Sequence, residues 1–239
     1  MTSCDAAAID PTAQIAPTAI IDLPFRPLLD GRQVEVDRGT VIEAGVWIGP
    51  HTTIGQGVRI GAHSMLEQFI DVQTGTAIGS RVLVTSRSSI GIGVTVGSNS
   101  VINKATIGDY ARIGKGCRIA GDLIHRQLDP TIPWDDAAES APIIDDHAFV
   151  GWGAVIVGGV NIGPGAYVCS GALITRDVPA GYIAYDRNKI IHPGEWPGAL
   201  GKSPFFQLTV AEDLATASDD GAGGGGPRQP ATGRPGHSS

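Results

Sequence analysis

The chain has 239 residues, a formal net charge of −7, 42% hydrophobic residues, 34 glycines and only 5% aromatics. That mixture disfavours a helical bundle and suits many short strands joined by tight turns. With no Lys/Arg cluster, nothing supplies the surface that nucleic acid requires, and no run approaches the roughly 18 apolar residues of a membrane span.

Residues 1–8 read as an N-terminal tail with neither the basic nor the apolar segment of a signal peptide, so a cytoplasmic location is expected. The three cysteines, Cys4, Cys117 and Cys169, are odd in number and show no CxxC spacing. They read as reduced thiols rather than as a disulfide framework or a zinc knuckle.

From Val36 onward an aliphatic residue returns at every sixth position, through Ile42, Ile48, Ile54, Ile60, Leu66, Val72, Ile78, Val84, Ile90 and Val96 to Ile102. Ile9, Ile15 and Ile21 form an earlier triplet. Ile107, Ile113 and Ile119 continue after a one-residue slip, and Ile144, Val150, Ile156, Ile162, Val168 and Ile174 form a last set. A fixed short period means a solenoid whose units pack on their neighbours. Two residues before the aliphatic stands a small or β-branched side chain, as at Val46, Val58, Val94, Ala111, Ala154 and Val160, so each unit turns two side chains to one face. The residue after the aliphatic is often glycine (Gly49, Gly55, Gly61, Gly91, Gly114, Gly163), read here as the turn residue that takes positive φ. Three units close a triangular coil, and the positions suffice for about eight coils.

This pattern resembles the hexapeptide-repeat family, whose coil is a left-handed exception to the right-handed crossover preference. The expected fold is therefore all-β, a single-stranded left-handed parallel β-helix over residues 9–191. Loop insertions are expected at 23–33, marked by Pro24, Pro27 and Asp30-Gly31, and at 121–142. Residues 192–217 read as a C-terminal extension with a short helix over 203–214, and 218–239 as a disordered Gly/Pro/Ser-rich tail.

An interior filled with Ile and Val leaves no room for a substrate, so chemistry belongs to outer faces, loops or subunit seams. The insertion carries His125, Asp122 and Arg126, followed by Trp134, Asp135 and Asp136; its apolar residues Leu123, Ile124, Leu128, Ile132 and Trp134 would suit an acceptor or acyl chain more apolar than a bare sugar. His51, His63, His125 and His147 lie 12, 62 and 22 residues apart, and the absence of a close pair argues against a three-histidine metal site; no metal is expected. Cys117 falls on an inward slot and Cys169 beside one, and both read as structural.

The order of the histidine-bearing loop, Ile143-Ile144-Asp145-Asp146-His147-Ala148-Phe149-Val150-Gly151, Gly158-Gly159-Val160-Asn161-Ile162-Gly163 and Gly171-Ala172-Leu173-Ile174-Thr175-Arg176-Asp177-Val178-Pro179 resembles the galactoside and maltose acetyltransferase branch over roughly residues 107–191. The resemblance implies transfer of an acetyl or longer acyl group from acyl-CoA, acetyl-CoA first, to a hydroxyl or amine of a sugar-like acceptor. It implies His125 as general base and the backbone N–H of Trp152 as oxyanion donor. It also implies Ala154, Ser170 and Gly171 along the pantetheine arm, Arg176 and Lys189 at the CoA phosphates, and a homotrimer in which one chain's histidine faces another's groove. Tyr185-Asp186-Arg187-Asn188-Lys189 departs from the family's Gly-x-Pro-Ala-Lys. Asn103, Asp122, Arg126 and Trp134 are candidate acceptor contacts, although Asn103 is off the family's asparagine position. Two alternatives stay open: a sugar N-acyltransferase using His63, whose neighbours Met65, Glu67, Gln68 and Phe69 read as a possible pocket lining, and a non-catalytic hexapeptide scaffold.

Overall fold

A computed structural model describes residues 8–21, 34–85, 87–126, 131, 140–203 and 205–206. The expected 23–33 loop, the body of the later insertion with Trp134, the 203–214 helix beyond Phe206, the 218–239 tail and Cys4 lie outside the described residues. The chain falls into two compact units, residues 1–197 and 198–239. In the second, Leu200–Lys202 forms one 3₁₀ turn and the rings of Phe205 and Phe206 meet edge to face at 5.2 Å.

The first unit is a left-handed parallel β-helix. Among the described residues, strands of mostly two residues stack into three sheets of nine, eight and ten strands, parallel except for the last pair, and up to Leu173–Ile174 consecutive strands in sequence belong to successive sheets. The first face runs from Ala8–Ile9 to Leu173–Ile174, the second from Gln14–Ile15 to Asn161–Ile162, and the third from Ile20–Ile21 to Lys189–Ile191. Registers are strict: Ile48 lies against Leu66, Leu66 against Val84 and Val84 against Ile102. The repeated aliphatic of each strand therefore stacks on its like into a continuous core, with Ile48, Ile54, Leu66, Ile90, Ile102 and Ile156 fully buried. Each such side chain contributes about 1.5–3 kcal/mol on leaving water.

The positions two residues earlier complete this core. Where they are polar, the hydroxyl is used: Ser64, Thr76 and Ser100 are buried and donate to the carbonyls of Gly79, Gly91 and Gly114 at 2.8, 2.7 and 2.9 Å. The same oxygens accept the backbone N–H groups of Val82, Val94 and Cys117 at 3.1, 3.2 and 3.0 Å. Each hydroxyl thus ties its corner to the next coil.

The glycine after the aliphatic plays a different part from the one expected. Positive φ falls three residues before the aliphatic, at Gly39, Gly45, Gly57, Gly75 and Gly93 and, with side chains, at His51, His63, Phe69, Arg81 and Asn99. Gly49, Gly61 and Gly114 are not among those residues. They are glycine because a Cβ at Gly61 would stand 2.6 Å from the backbone of Gly79 and Ser80 in the following coil. Stacking distance, not turn handedness, selects them.

The interruption also begins later than expected. Asp122–Ile124 is a strand of the first face, with Leu123 fully buried between Ile107 and Ile156. The step from Ile119 to this core position is four residues rather than six, which hides it from the period. Leu123 is thus a core residue, and the excursion proper starts at His125. At the other end Ile183–Tyr185 pairs antiparallel with Lys189–Ile191 and ends the parallel stack. None of the described helices is long and apolar enough to cross a membrane.

Candidate functional site

His125 leaves the prism at the edge between the first and second faces, directly after Ile124, which pairs with Val157. Its imidazole lies over Gly108 of the preceding coil, where an added Cβ would come within 3.1 Å of Cδ2 and 3.4 Å of Nε2. Gly108 is thereby held to glycine, and the ring gains a flat floor. The residue is half-buried, with both ring nitrogens shielded from water.

The two ends of the excursion meet over Gly158: a Cβ there would lie 2.3 Å from the Ser140 carbonyl and 2.9 Å from the Arg126 nitrogen. Gly158-Gly159 is therefore the seat on which the loop's neck closes, with Gly159 at φ 73°. Arg126 is exposed beside His125, whereas Asp122 is committed to structure, its Oδ1 accepting from the Thr106 N–H at 2.8 Å.

Trp152 occupies the edge between the third and first faces. It is 51% exposed. Its carbonyl accepts from Gly171 at 2.8 Å and Gly153 donates to Ala120, while the Trp152 N–H donates to no described residue. Ser170 and Gly171 follow on the same edge one coil later, both exposed. Ala154 has both backbone groups in use, its N–H on Gly151 and its carbonyl accepting from Asp122 at 2.8 Å. What it offers a ligand is therefore less than the expected free backbone contact.

Arg176 and Lys189 are exposed at the closing end but engaged there. The Arg176 guanidinium donates to the Asn188 carbonyl. Lys189 pairs with Asp186 at 2.8 Å and lies 5.6 Å from the Tyr185 ring centroid. The Asp186 carboxylate raises the Lys189 pKa above its usual value. Asn103 sits on the Trp152 edge, its Oδ1 accepting from the Thr85 hydroxyl at 2.7 Å.

His125 and Trp152 thus belong to adjacent coils but to different edges, at opposite ends of strand Val155–Val157. At about 3.3 Å per extended residue their separation is on the order of 10 Å or more. His125, Arg126 and the loop neck form one cluster; Trp152, Ser170 and Gly171 form another. The pocket expected around His63 does not assemble: His63 is exposed over Gly45 on the edge between the second and third faces, Met65 points out from the third face, and Glu67, Gln68 and Phe69 lie on the edge beyond.

Cys117 is fully buried, its Sγ donating to the Asp145 carbonyl at 3.1 Å, and burial pushes its thiol up to about 12. Cys169 is half-buried, with its pKa raised by burial and then by Asp186. Among the described residues no group of three or more His, Cys, Asp and Glu side chains is arranged to hold a metal ion. Arg87 and Lys104 are also exposed on the Trp152 edge.

Residues 143–176 match the hexapeptide repeat of succinyl-transferase. The bifunctional protein GlmU of Alkaliphilus metalliredigens (strain QYMF) is 31% identical over 172 residues, 70% of this chain and 32% of that protein. GlmU of Bartonella quintana (strain Toulouse) is 29% identical over 171 residues, 70% of this chain and 38% of that protein. The chain spans about a third of the length of these relatives. Among solved structures, a UDP-N-acetylglucosamine acyltransferase shares the fold with a TM-score of 0.56 at 15% identity, covering 90% of this chain and 83% of that one. LpxA from Acinetobacter baumannii does so with a TM-score of 0.51 at 16% identity, covering 86% and 83%. The sequence similarity is to part of GlmU and to the hexapeptide repeat of succinyl-transferase, the likeness to LpxA is one of fold, and the galactoside and maltose branch remains a resemblance of motifs.

Proposed function

We propose that this hexapeptide-repeat chain is an acyltransferase that moves an acyl group from acyl-CoA to a hydroxyl or amine of a sugar-like acceptor, at a seam between copies of the chain. The observation that carries it is the presence of a seated histidine at the interruption of the later coils and, on the adjoining coil, of a backbone N–H that donates to no described residue. The kinship with GlmU, itself matched over only a third of its length, supports the same reading.

In this mechanism His125 takes the proton from the acceptor as its oxygen or nitrogen attacks the thioester carbonyl. The oxyanion so formed accepts from the Trp152 N–H, which is in place beforehand and needs no reorganisation. Collapse breaks the carbon–sulfur bond, and the imidazolium returns the proton to the departing thiolate. Ser170 and Gly171, next along the Trp152 edge, would receive the pantetheine arm. Arg176 and Lys189 lie further toward the closing hairpin, where cations would meet phosphates.

Because His125 and Trp152 stand on separate edges, the reading requires His125 of one copy to meet Trp152 of another, which a cyclic trimer provides. A thiol-release assay with acetyl-CoA and longer acyl-CoA against mixed sugars and amines tests it. His125→Ala should lower turnover by about 10²–10⁴-fold. Undiminished release in that variant, or no CoA binding by the intact chain, overturns the proposal.

A further inference from the structure

The edge that carries His125 has an exception in its turns. In four earlier coils the left-handed position between the first and second faces is glycine, at Gly39, Gly57, Gly75 and Gly93, and it is glycine again at Gly159. In the coil directly before His125 it is Tyr110, at φ 59°. An added Cβ at Gly39, Gly57 or Gly75 would meet nothing within 4 Å, so room is not what keeps these turns bare. The backbone conformation is, since it disfavours any Cβ and a bulky side chain most of all. A tyrosine there is strained, and such strain persists where the surroundings over-determine it.

The surroundings of Tyr110 do so. Its N–H donates to the Ile92 carbonyl at 2.7 Å, and the Ile92 N–H donates to Asp109 Oδ1 at 2.7 Å, so the turn is tied to the coil beneath in both directions. The phenol ring lies against Gly93, where an added Cβ would come within 2.8 Å of Cδ1 and 2.9 Å of Cε1. Part of the ring is thus used in packing, yet the residue is 39% exposed, beside the exposed Ile92. The fold holds an aromatic ring on an open corner in a strained turn, where the coil beneath shows glycine.

Its place gives the ring a chemical meaning. The imidazole of His125 lies over Gly108, two residues before Tyr110, and the Cα atoms of Gly108 and Tyr110 are at most about 7 Å apart. Imidazole and phenol therefore border one corner of one chain. A fixed aromatic ring beside a general base suits a molecule with a flat apolar face and a nucleophile at its rim. A pyranose has both. Its axial C–H groups make a face that the negative face of an aromatic ring attracts, and its hydroxyls stand around the rim.

We propose that Tyr110 is the platform on which the sugar ring of the acceptor stacks, with a rim hydroxyl or amine presented to His125. The assignment of that sugar as the acceptor rests on the acyltransferase reading. The pyranose platform does not.

Saturation-transfer NMR on the full chain with methyl β-glucoside, methyl β-galactoside and sorbitol tests it. One or both glycosides should receive saturation through their ring C–H protons, and sorbitol, which has the hydroxyls but no ring, should not. Tyr110→Phe keeps the aromatic face and should keep the signal. Tyr110→Gly removes the face while relieving the positive φ, and should lose the signal. In the thiol-release assay the glycine variant should raise KM for the glycoside about tenfold or more, with kcat and CoA affinity unchanged. Arg81→Gly, the same exchange at φ 55° on the edge between the second and third faces, should alter none of these.

No transfer to either glycoside, or equal transfer in Tyr110→Gly, overturns the platform. Loss in Tyr110→Phe does so too, by moving recognition to the hydroxyl. A fall in CoA affinity in the glycine variant would make the ring a donor contact and overturn the acceptor assignment. Tyr110-dependent glycoside binding in a chain that releases no thiol from acetyl-CoA or longer acyl-CoA would uphold the platform while removing the acyltransferase reading. His125-dependent release with KM unchanged in Tyr110→Gly would do the reverse.

Discussion

His125 follows one end of the strand pair Asp122–Ile124 and Val155–Val157, and Trp152 precedes the other, so a single prism presents them on different edges. If both act in one site, the site is shared between copies. Mixing two inactive variants exposes this arrangement. His125→Ala removes the base, and Trp152→Pro removes the N–H while leaving the exposed corner otherwise intact. Alone, each should be nearly inactive. Co-assembled one to one, about a quarter of seams should combine an intact histidine with an intact N–H, and activity should return to about that fraction. Mixtures as inactive as the single variants, in assemblies shown to exchange subunits, would place the site within one chain.

The rows of Ile, Val and Leu were legible because a period of six returns the same side chain to the same face, and nothing else in the chain competes with that signal. Leu123 was not, because its four-residue step breaks the period, and counting residues 121–142 wholly as loop loses one face of the prism. Without that face the relative edges of His125 and Trp152 cannot be counted, which is why adjacency of coils was legible and adjacency of edges was not. The role of Gly61 was misread for a related reason. The atom that forbids its Cβ belongs to Gly79, a full coil further on, and no local turn rule refers to it.

The two glycine roles separate in stability measurements. At Gly75, φ is 72° and an added Cβ meets nothing within 4 Å, so Gly75→Ala should cost only the left-handed strain, about 1 kcal/mol. At Gly97 the added Cβ would lie 2.4 Å from the backbone carbon of Gly114 and the nitrogen of Lys115, so coils must move apart. Gly97→Ala should cost roughly 1–3 kcal/mol or more, visible as the larger fall in thermal midpoint. The reverse order would contradict the stacking account.

The buried hydroxyls make a separate claim. Thr76→Val keeps volume but strands the Gly91 carbonyl and the Val94 N–H, which Thr76 satisfies at 2.7 and 3.2 Å. The expected loss is about 1–3 kcal/mol. Thr76→Ser should retain most of the stability, and Thr95→Val, on the exposed side of the same face, should lose none. Denaturant midpoints with unchanged slopes would show it; a neutral Thr76→Val would mean that these bonds are replaceable.

Cys117 predicts the alkaline limit of stability. Burial among core side chains raises its thiol from 9.0 to about 12, so the folded chain holds the proton more tightly than the unfolded chain does. Its contribution is complete below about pH 9 and disappears as pH climbs toward 12. At about 1.4 kcal/mol per pH unit the loss is on the order of a few kcal/mol. Thermal midpoints should fall steeply across this window, and Cys117→Val, which cannot ionise, should flatten the fall. At pH 8 the native chain should resist alkylation at Cys117 while the half-buried Cys169 reacts slowly. Rapid labelling of Cys117 in the folded protein, or an alkaline limb unchanged in the valine variant, would place the thiol outside the core.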